Sequence, residues 1–315
     1  MGKAEINTHR ISGYAQGTTY QITYYAPVSI ISQRQTDSIL LKIDSSLSLY
    51  KPYSLINRFN SCEKELQIDK HFQAVVKRSL EIYKETDGVF DITVKPVVQA
   101  WGFGVKRSSA IPDSNTINEL MTCVGSDKLN LKRTKLSKSK PCVQIDVNGI
   151  AQGYTVDVLA DFLEEKGIVN YMIELGGEIR VKGRKPNGSL MSIGIEAVPS
   201  NAKSEEAIQK VLHIPEGAVT TSGTYRQYFT SGNRQISHLI DARTGYPIEN
   251  ELISVTVWAP NAITADGYDN ALMGMGLDNA MKFIEKRKNL EAHFIYQKGG
   301  SVADTASTGF YKFIQ

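Results

Sequence analysis

The chain has 315 residues, 41% of them hydrophobic and 22% charged, with a formal net charge of +3. This composition suits a folded globular protein with a sizeable core and excludes a disordered or low-complexity chain. No run is apolar for long enough to span a bilayer, no basic block is interleaved with aromatics as on a nucleic-acid surface, and residues 1–7 lack the apolar stretch of an export signal, which leaves the compartment open.

Residues 18–25 alternate apolar and polar side chains and are rich in Thr and Tyr, which predicts a strand. Ile39, Leu40, Ile43 and Leu47 share one face of a helix predicted over 38–49. The following Ser48-Leu-Tyr-Lys-Pro-Tyr-Ser54 is a turn set by Pro52, and its Tyr50 and Tyr53 suit either core packing or stacking on a planar ring. Asp69 is the expected N-cap of a helix that buries Phe72, Val75, Val76, Leu80 and Tyr83 and stops at Asp87-Gly88. Phe90 to Pro96 and Trp101-Gly-Phe-Gly104 read as core and loop, with Asp91 the polar group of interest. The five basic residues within 131–140 are diluted by Thr and Ser and read as a solvated hairpin. Cys62, Cys123 and Cys142 lack the spacing of a zinc site or a disulfide framework, and a single disulfide stays open.

The most informative stretch is Gln144-Ile-Asp-Val-Asn-Gly-Ile-Ala-Gln-Gly-Tyr-Thr-Val-Asp157. It predicts a short strand, a glycine-bearing turn and a helix over 149–166, whose buried face carries Tyr154, Val158, Phe162 and Leu163 and which Gly167 ends. Backbone amides at such a helix start, reinforced by the helix dipole, suit an anion such as a phosphate ester, although a plain strand-to-helix turn has the same look. Gly176-Gly177 interrupts a strand pattern over 171–183, as a bulge or a close backbone approach to a ligand would. Further strands are expected over 190–198 and 253–259, and a mostly helical stretch over 266–288. Without a regular alternation of strand and helix the fold class is α+β, and no linker or repeat divides the chain.

Asp266 and Asn270 stand four apart, so they share a helix face and offer two oxygens to a hard cation such as Mg²⁺. Asp266 as an N-cap and Asn270 as a surface residue is the plainer alternative, and Asp269 is expected to point away from that face. His238 and Asp241 lie at a strand end before the Thr244-Gly245 turn, either as structural residues or as a titratable pair. Thr220-Thr-Ser-Gly-Thr-Tyr225 gathers hydroxyls around a glycine, as phosphate contacts and ordinary turns both do. Residues 304–308 carry an acid, small residues and a threonine but read best as a closing strand with Phe310 and Phe313.

Taken in order, Gly17-Thr-Thr-Tyr20, Ser48-Leu-Tyr50 through Asn60, Gly88-Val-Phe-Asp-Ile-Thr93, Asp146-Val-Asn-Gly-Ile-Ala151, Leu175-Gly-Gly177, Thr221-Ser-Gly223, His238-Leu-Ile-Asp241 and Ala265-Asp266 resemble the FAD:protein FMN transferase family, ApbE. The resemblance implies a two-lobed single unit with a mixed sheet and FAD in the cleft, residues 13–315 forming the domain and 1–12 a tail. It implies Mg²⁺-dependent transfer of FMN from FAD to a Ser or Thr of an acceptor flavoprotein of the redox-pump subunit type, with release of AMP. A Mg²⁺-dependent FAD pyrophosphatase and a non-catalytic FAD-binding protein are the alternatives on the same scaffold. By resemblance, Mg²⁺ is held by the Ala151 carbonyl, Asp266 and Asn270, and catalysis falls to His238 and Asp266. FAD contacts fall to Tyr50, Asp91, Gly149, Gln152, Asp157, Gly176, Gly177, Thr221, Ser222, Gly223, His238 and Asp241. The family pattern has Lys where Gln152 stands, Thr where Asn270 stands and Glu where Leu55 stands, so the sequence departs from it at three positions of interest. The resemblance also implies a periplasmic protein held to a membrane by an N-terminal lipid anchor that these residues do not include.

Overall fold

The computed structural model describes residues 5–105, 111–197, 208–224, 228–231 and 234–314. Its strands are β1 (Asn7–Ala15), β2 (Thr18–Ala26), β3 (Glu65–Gln67), β4 (Leu129–Lys132), β5 (Lys135–Lys138), β6 (Tyr171–Leu175), β7 (Glu178–Lys182), β8 (Met191–Glu196), β9 (Ile208–Ile214), β10 (Glu216–Gly223), β11 (Tyr228–Ser231), β12 (Arg234–Ser237), β13 (Leu252–Ala259), β14 (Glu291–Lys298) and β15 (Ser301–Ala306). Its helices are α1 (Gln33–Leu47), α2 (Leu55–Ser61), α3 (Lys70–Glu85), α4 (Lys95–Ala100), α5 (Ser114–Met121), α6 (Ala151–Glu165), α7 (Ala262–Met275) and α8 (Leu277–Ile284).

An eight-stranded sheet in the order β1-β2-β6-β7-β10-β13-β14-β15 organises the molecule. The α+β class holds, but each described strand pair is antiparallel, so the sheet is not mixed. In β2 the period-2 pattern is explicit: Tyr20, Ile22, Tyr24 and Ala26 are buried and the residues between them are not. β1 starts at Asn7 and pairs with β2 along its whole length, so the stretch expected as a tail contributes an edge strand from Asn7 onward, while residues 1–4 lie outside the described residues. β13 is buried on both faces because two layers cover it. Val255, Val257 and Ala259 pack with Ala265, Tyr268 and Leu272 of α7 on one side. On the other, Trp258 joins Val219 and the β8–β9 hairpin.

Local signals placed most helices. Asp69 accepts from the Phe72 amide at 2.9 Å and caps α3, and Asp87 and Gly88 leave the helix at φ 50° and 78°. Gly176 and Gly177 have φ of 66° and 109° and form the two-residue turn between paired β6 and β7. That is a tight hairpin rather than a bulge, and positive φ at both turn positions is why two glycines stand there. The strand expected before Gly149 is an extended segment without a ladder. In place of a strand partner, the Asn60 side chain donates to the Ile145 carbonyl at 2.9 Å and accepts from its amide at 2.7 Å. α6 buries Gly153, Val156, Leu159, Ala160 and Leu163, and only Leu163 comes from the expected face, because the helix is covered by both the sheet and α7. The helix expected over 266–288 begins earlier, capped by Asn261, and Gly276 at φ 72° divides it. β8 ends at Glu196, and Val198 lies outside the described residues.

The basic hairpin exists as β4–β5, yet it is not wholly solvated. Lys138 is buried, and its ammonium donates to the carbonyls of Pro141 at 3.0 Å and Val143 at 2.9 Å. Nearby, Cys123 and Cys142 form a disulfide, and Cys62 remains a free thiol. The crosslink closes a segment with a sequence separation of 19, so its loss should cost about 3 kcal/mol through the unfolded chain's regained freedom. Urea unfolding of the oxidised and reduced protein should show that loss as a lower midpoint. Coincident midpoints would mean the bond constrains nothing the unfolded chain was able to explore.

Candidate active site

The site grows from the crossing of α6 and α7. At the start of α6 no α6 side chain caps the helix. The Asp266 carboxylate reaches across from α7 and accepts from the Gly153 amide at 2.8 Å. The reverse contact caps α7: Asp157 of α6 accepts from the Ala262 and Ile263 amides, both at 2.8 Å. Asp157 also binds the Arg180 guanidinium at 2.7 Å. Each helix therefore supplies the carboxylate for the other's first turn, where the dipole favours negative charge. The approach is too close for a side chain at Gly153, since an added Cβ would lie 2.7 Å from the Asp266 Cβ.

Asp266 is buried, one turn inside the helix rather than at its N-cap. Burial, and then the negative charge of Glu178, hold its carboxyl well above the usual carboxylate range. Glu178 is the first residue of β7 and shares the α6-facing side of that strand with Arg180 and Lys182, both of which pair with acids on α6. Asn270, one turn after Asp266, donates to Asp269 Oδ1 at 2.9 Å and lies 3.3 Å from the Gly149 carbonyl. Its Oδ1 accepts from the Ser222 hydroxyl at 3.3 Å. Asp269 thus belongs to this cluster, where the sequence was expected to turn it away; it and Glu178 are the acids that spacing alone missed. Among the described residues no group of three or more His, Cys, Asp or Glu side chains is gathered as a metal centre. Of the expected ligand oxygens, Asp266 and Asn270 lie one turn apart on α7, and the Ala151 carbonyl at the start of α6 accepts from Thr155 Oγ1 at 2.8 Å.

Other expected residues fall around or away from this centre. A Cβ at Gly176 would sit 3.1 Å from Gln152 Nε2 and 3.3 Å from a Glu178 oxygen, so the β6–β7 turn, Gln152 and Glu178 adjoin. Thr221 faces the opposite side of the sheet from Ser222, its hydroxyl 2.9 Å from that of Thr256, while Gly223 ends β10 and Tyr225 lies outside the described residues. The Asp91 carboxylate is engaged inside the chain by the Thr93 amide at 2.7 Å and the Ser126 amide at 2.9 Å, which makes it a loop-pinning group. Tyr50 stands 64% exposed on its loop, available to a planar ligand. The backbone amides expected to greet an anion are largely committed: Ile150 and Ala151 donate to the Val147 carbonyl and Gly153 to Asp266.

The turn after β12 carries the next expected residue. His238 is half-buried and meets Phe103 edge to face, with centroids 6.3 Å apart. The turn is fixed by the Trp101 indole, which donates to the Gly245 carbonyl at 2.8 Å, and by packing of Ala242 against Val97, Ile117 and Val124. Asp241, which its spacing offered as a partner for His238, grips the Arg243 guanidinium with its two oxygens at 3.0 and 2.8 Å.

Comparison with known proteins decides the family. The model described as the ApbE family matches residues 16–294. The chain belongs to the ApbE family. It is 35% identical to the FAD:protein FMN transferase of Haemophilus influenzae over 97% of this chain and 91% of that protein. The fold superposes on the flavin transferase ApbE from Vibrio cholerae with a TM-score of 0.88 at 33% identity, covering 98% of this chain and 100% of that one. It superposes on the apo form of the Pseudomonas stutzeri flavinyl transferase ApbE with a TM-score of 0.89 at 30% identity, covering 99% and 98% of the two chains. Within the ApbE frame the three departures now have places: Gln152 beside the glycine turn, Asn270 among the cluster oxygens, and Leu55 at the start of α2.

A carboxyl whose pKa is higher in the folded than in the unfolded chain holds its proton more tightly when folded. Stability therefore falls as pH rises from the unfolded value near about 3.9 through the raised folded one. Asp266→Asn keeps an oxygen for the Gly153 amide and has no charge to bury. In a chelator-containing buffer it should gain thermal stability relative to the parent as pH is raised from about 4 to 8. A gap between the two melting temperatures that does not change with pH would show that the buried carboxyl carries no such shift.

Proposed function

We propose that this protein transfers the FMN half of FAD to a hydroxyl of a target protein, a Ser or Thr side chain, and releases AMP. The observation that carries the reading is the buried Asp266 carboxylate beside Asn270, Asp269 and the Gly149 turn, in a chain that belongs to the ApbE family. The acceptor oxygen attacks the FMN-side phosphorus, the phosphoanhydride bond breaks towards AMP, and the hydroxyl proton leaves to a base. His238 is that base in this reading, and general-base catalysis by a positioned imidazole is worth about 10²–10⁴-fold in rate.

The oxygen set fits a hard divalent cation, and Mg²⁺ held by Asp266, Asn270 and the Ala151 carbonyl is the assignment we favour. Two facts support it. A buried carboxylate next to another acid is unfavourable until a positive charge arrives. The neutral Gln152 and the committed amides of the α6 start bring no positive charge of their own to a pyrophosphate at that turn. When bound, the ion would supply that neutralisation and stabilise the departing AMP. Tyr50 is the proposed stacking surface for the isoalloxazine ring, with Gly149, Gln152, Gly176, Gly177 and Ser222 lining the phosphate side. We place the protein in the periplasm on a lipid anchor, with a subunit of a redox pump as acceptor. The Cys123–Cys142 disulfide supports an oxidising compartment, and family resemblance supports the anchor and the acceptor.

Incubation with FAD, Mg²⁺ and a candidate acceptor should yield AMP and acceptor-bound flavin in equal amounts. FMN and AMP without flavinylated protein would instead mean that water takes the hydroxyl's place. His238→Ala should retain FAD binding and lose at least about tenfold in transfer, Asp266→Ala should abolish turnover while still folding, and Tyr50→Ala should weaken FAD binding several-fold. Parent-rate transfer by His238→Ala would assign the base elsewhere.

A further inference from the structure

Tyr50 is exposed on a loop, and an aromatic platform that must be ordered at each binding event loses affinity to that ordering. The loop is not left to order itself. The Asn57 amide nitrogen, half-buried on α2, donates to the carbonyls of Leu49 and Lys51, each at 2.9 Å, with the Ser48 carbonyl further off at 3.4 Å. One side chain therefore grips the backbone on both sides of Tyr50. Asn57 is itself fixed at the first turn of α2, because its backbone amide donates to Ser54 Oγ at 3.3 Å. One turn along the same helix, Asn60 makes its reciprocal bonds to Ile145, in the segment that runs into the Gly149 turn. The short helix α2 thus ties the aromatic loop at one end to the phosphate-side backbone at the other.

We infer that Asn57 is a positioning residue for flavin: resting on the flavin-transfer reading, it acts through Tyr50 by holding the ring ready in its bound orientation, and it touches no substrate itself. Nothing in the resemblance assigned a role to this position. The chemistry asked of it is strict, since it must donate to two carbonyls at once. An isosteric carboxylate cannot do that and would set its own charge against them.

The test is a double-mutant cycle between Asn57→Ala and Tyr50→Ala, with Asn57→Asp as the same-shaped control. KM and kcat for FAD in transfer, and FAD affinity by flavin-fluorescence titration, are measured with Mg²⁺ present. Asn57→Ala should raise KM and weaken FAD binding about three- to tenfold, the loss of one or two hydrogen bonds' worth of ordering, and leave kcat nearly unchanged. Asn57→Asp should do at least as much. With Tyr50 already Ala, either change at Asn57 should add almost nothing. A full effect that persists without Tyr50, an equal fall in kcat, or parent-like affinity would overturn the inference. So would a variant that unfolds at assay temperature, since Asn57 would then serve the fold. A parent protein that neither binds FAD nor flavinylates its target would instead sink the flavin-transfer reading, which keeps the two failures apart.

Discussion

The contact on which the rest of the site depends is the exchange of carboxylates between α6 and α7. Asp266 closes the first turn of α6, and Asp157 closes the first turn of α7. A cap of this kind is worth about 0.5–2 kcal/mol when its side chain comes from the same helix. Here the caps come from the facing helix, so each also fixes the distance between the two axes. Gly153 is the geometric condition for that distance, and Asp157's ion pair with Arg180 ties the crossing to the central sheet. The helix starts, the Gly149 turn and β7 are consequently one rigid corner.

That arrangement carries a cost which bears on function. Asp266 is buried, and the charge that acts on it most is that of another acid, Glu178. A site evolved for stability alone gains nothing from placing Glu178 there, because like charges with little solvent oppose each other's ionisation. The proposed Mg²⁺ would reverse the balance, because a crowding of oxygens that is unfavourable without a cation would favour binding one. The corner also explains why the α6 start is not a simple anion cradle. Its amides are committed to Val147 and to Asp266, so a phosphate group there must meet its positive charge elsewhere.

What the sequence disclosed follows from the range of the interactions involved. The Asp69 cap, the Asp87-Gly88 stop and the double-glycine turn depend on residues within a few positions of each other, and they read directly. The i, i+4 relation of Asp266 and Asn270 is equally local. Their partners were illegible because they come from far along the chain: Gly153 for Asp266, Ser222 and Gly149 for Asn270, Ile145 for Asn60. Asp241 shows the opposite failure. Its short spacing to His238 suggested a pair, but Arg243, two residues on, offers a charged fork that takes both carboxylate oxygens. Asp91 and Asp157 likewise looked like ligand contacts, and folding spends them on loop and helix ends.

The α6–α7 corner and the turn that carries His238 are anchored by different means. The α6–α7 corner is locked into the main sheet through β7. The His238 turn is held on one side by a small satellite core of Val97, Trp101, Ile117 and Val124, pinned by the Trp101–Gly245 bond and by the Cys123–Cys142 crosslink one residue before Val124, and on the other by Leu239, which packs in the main core. Satellite clusters bury less area than the main core and open at lower free energy. Loss of the small cluster would therefore loosen the turn that carries His238 while the carboxylate exchange between α6 and α7, which does not depend on it, stays in place.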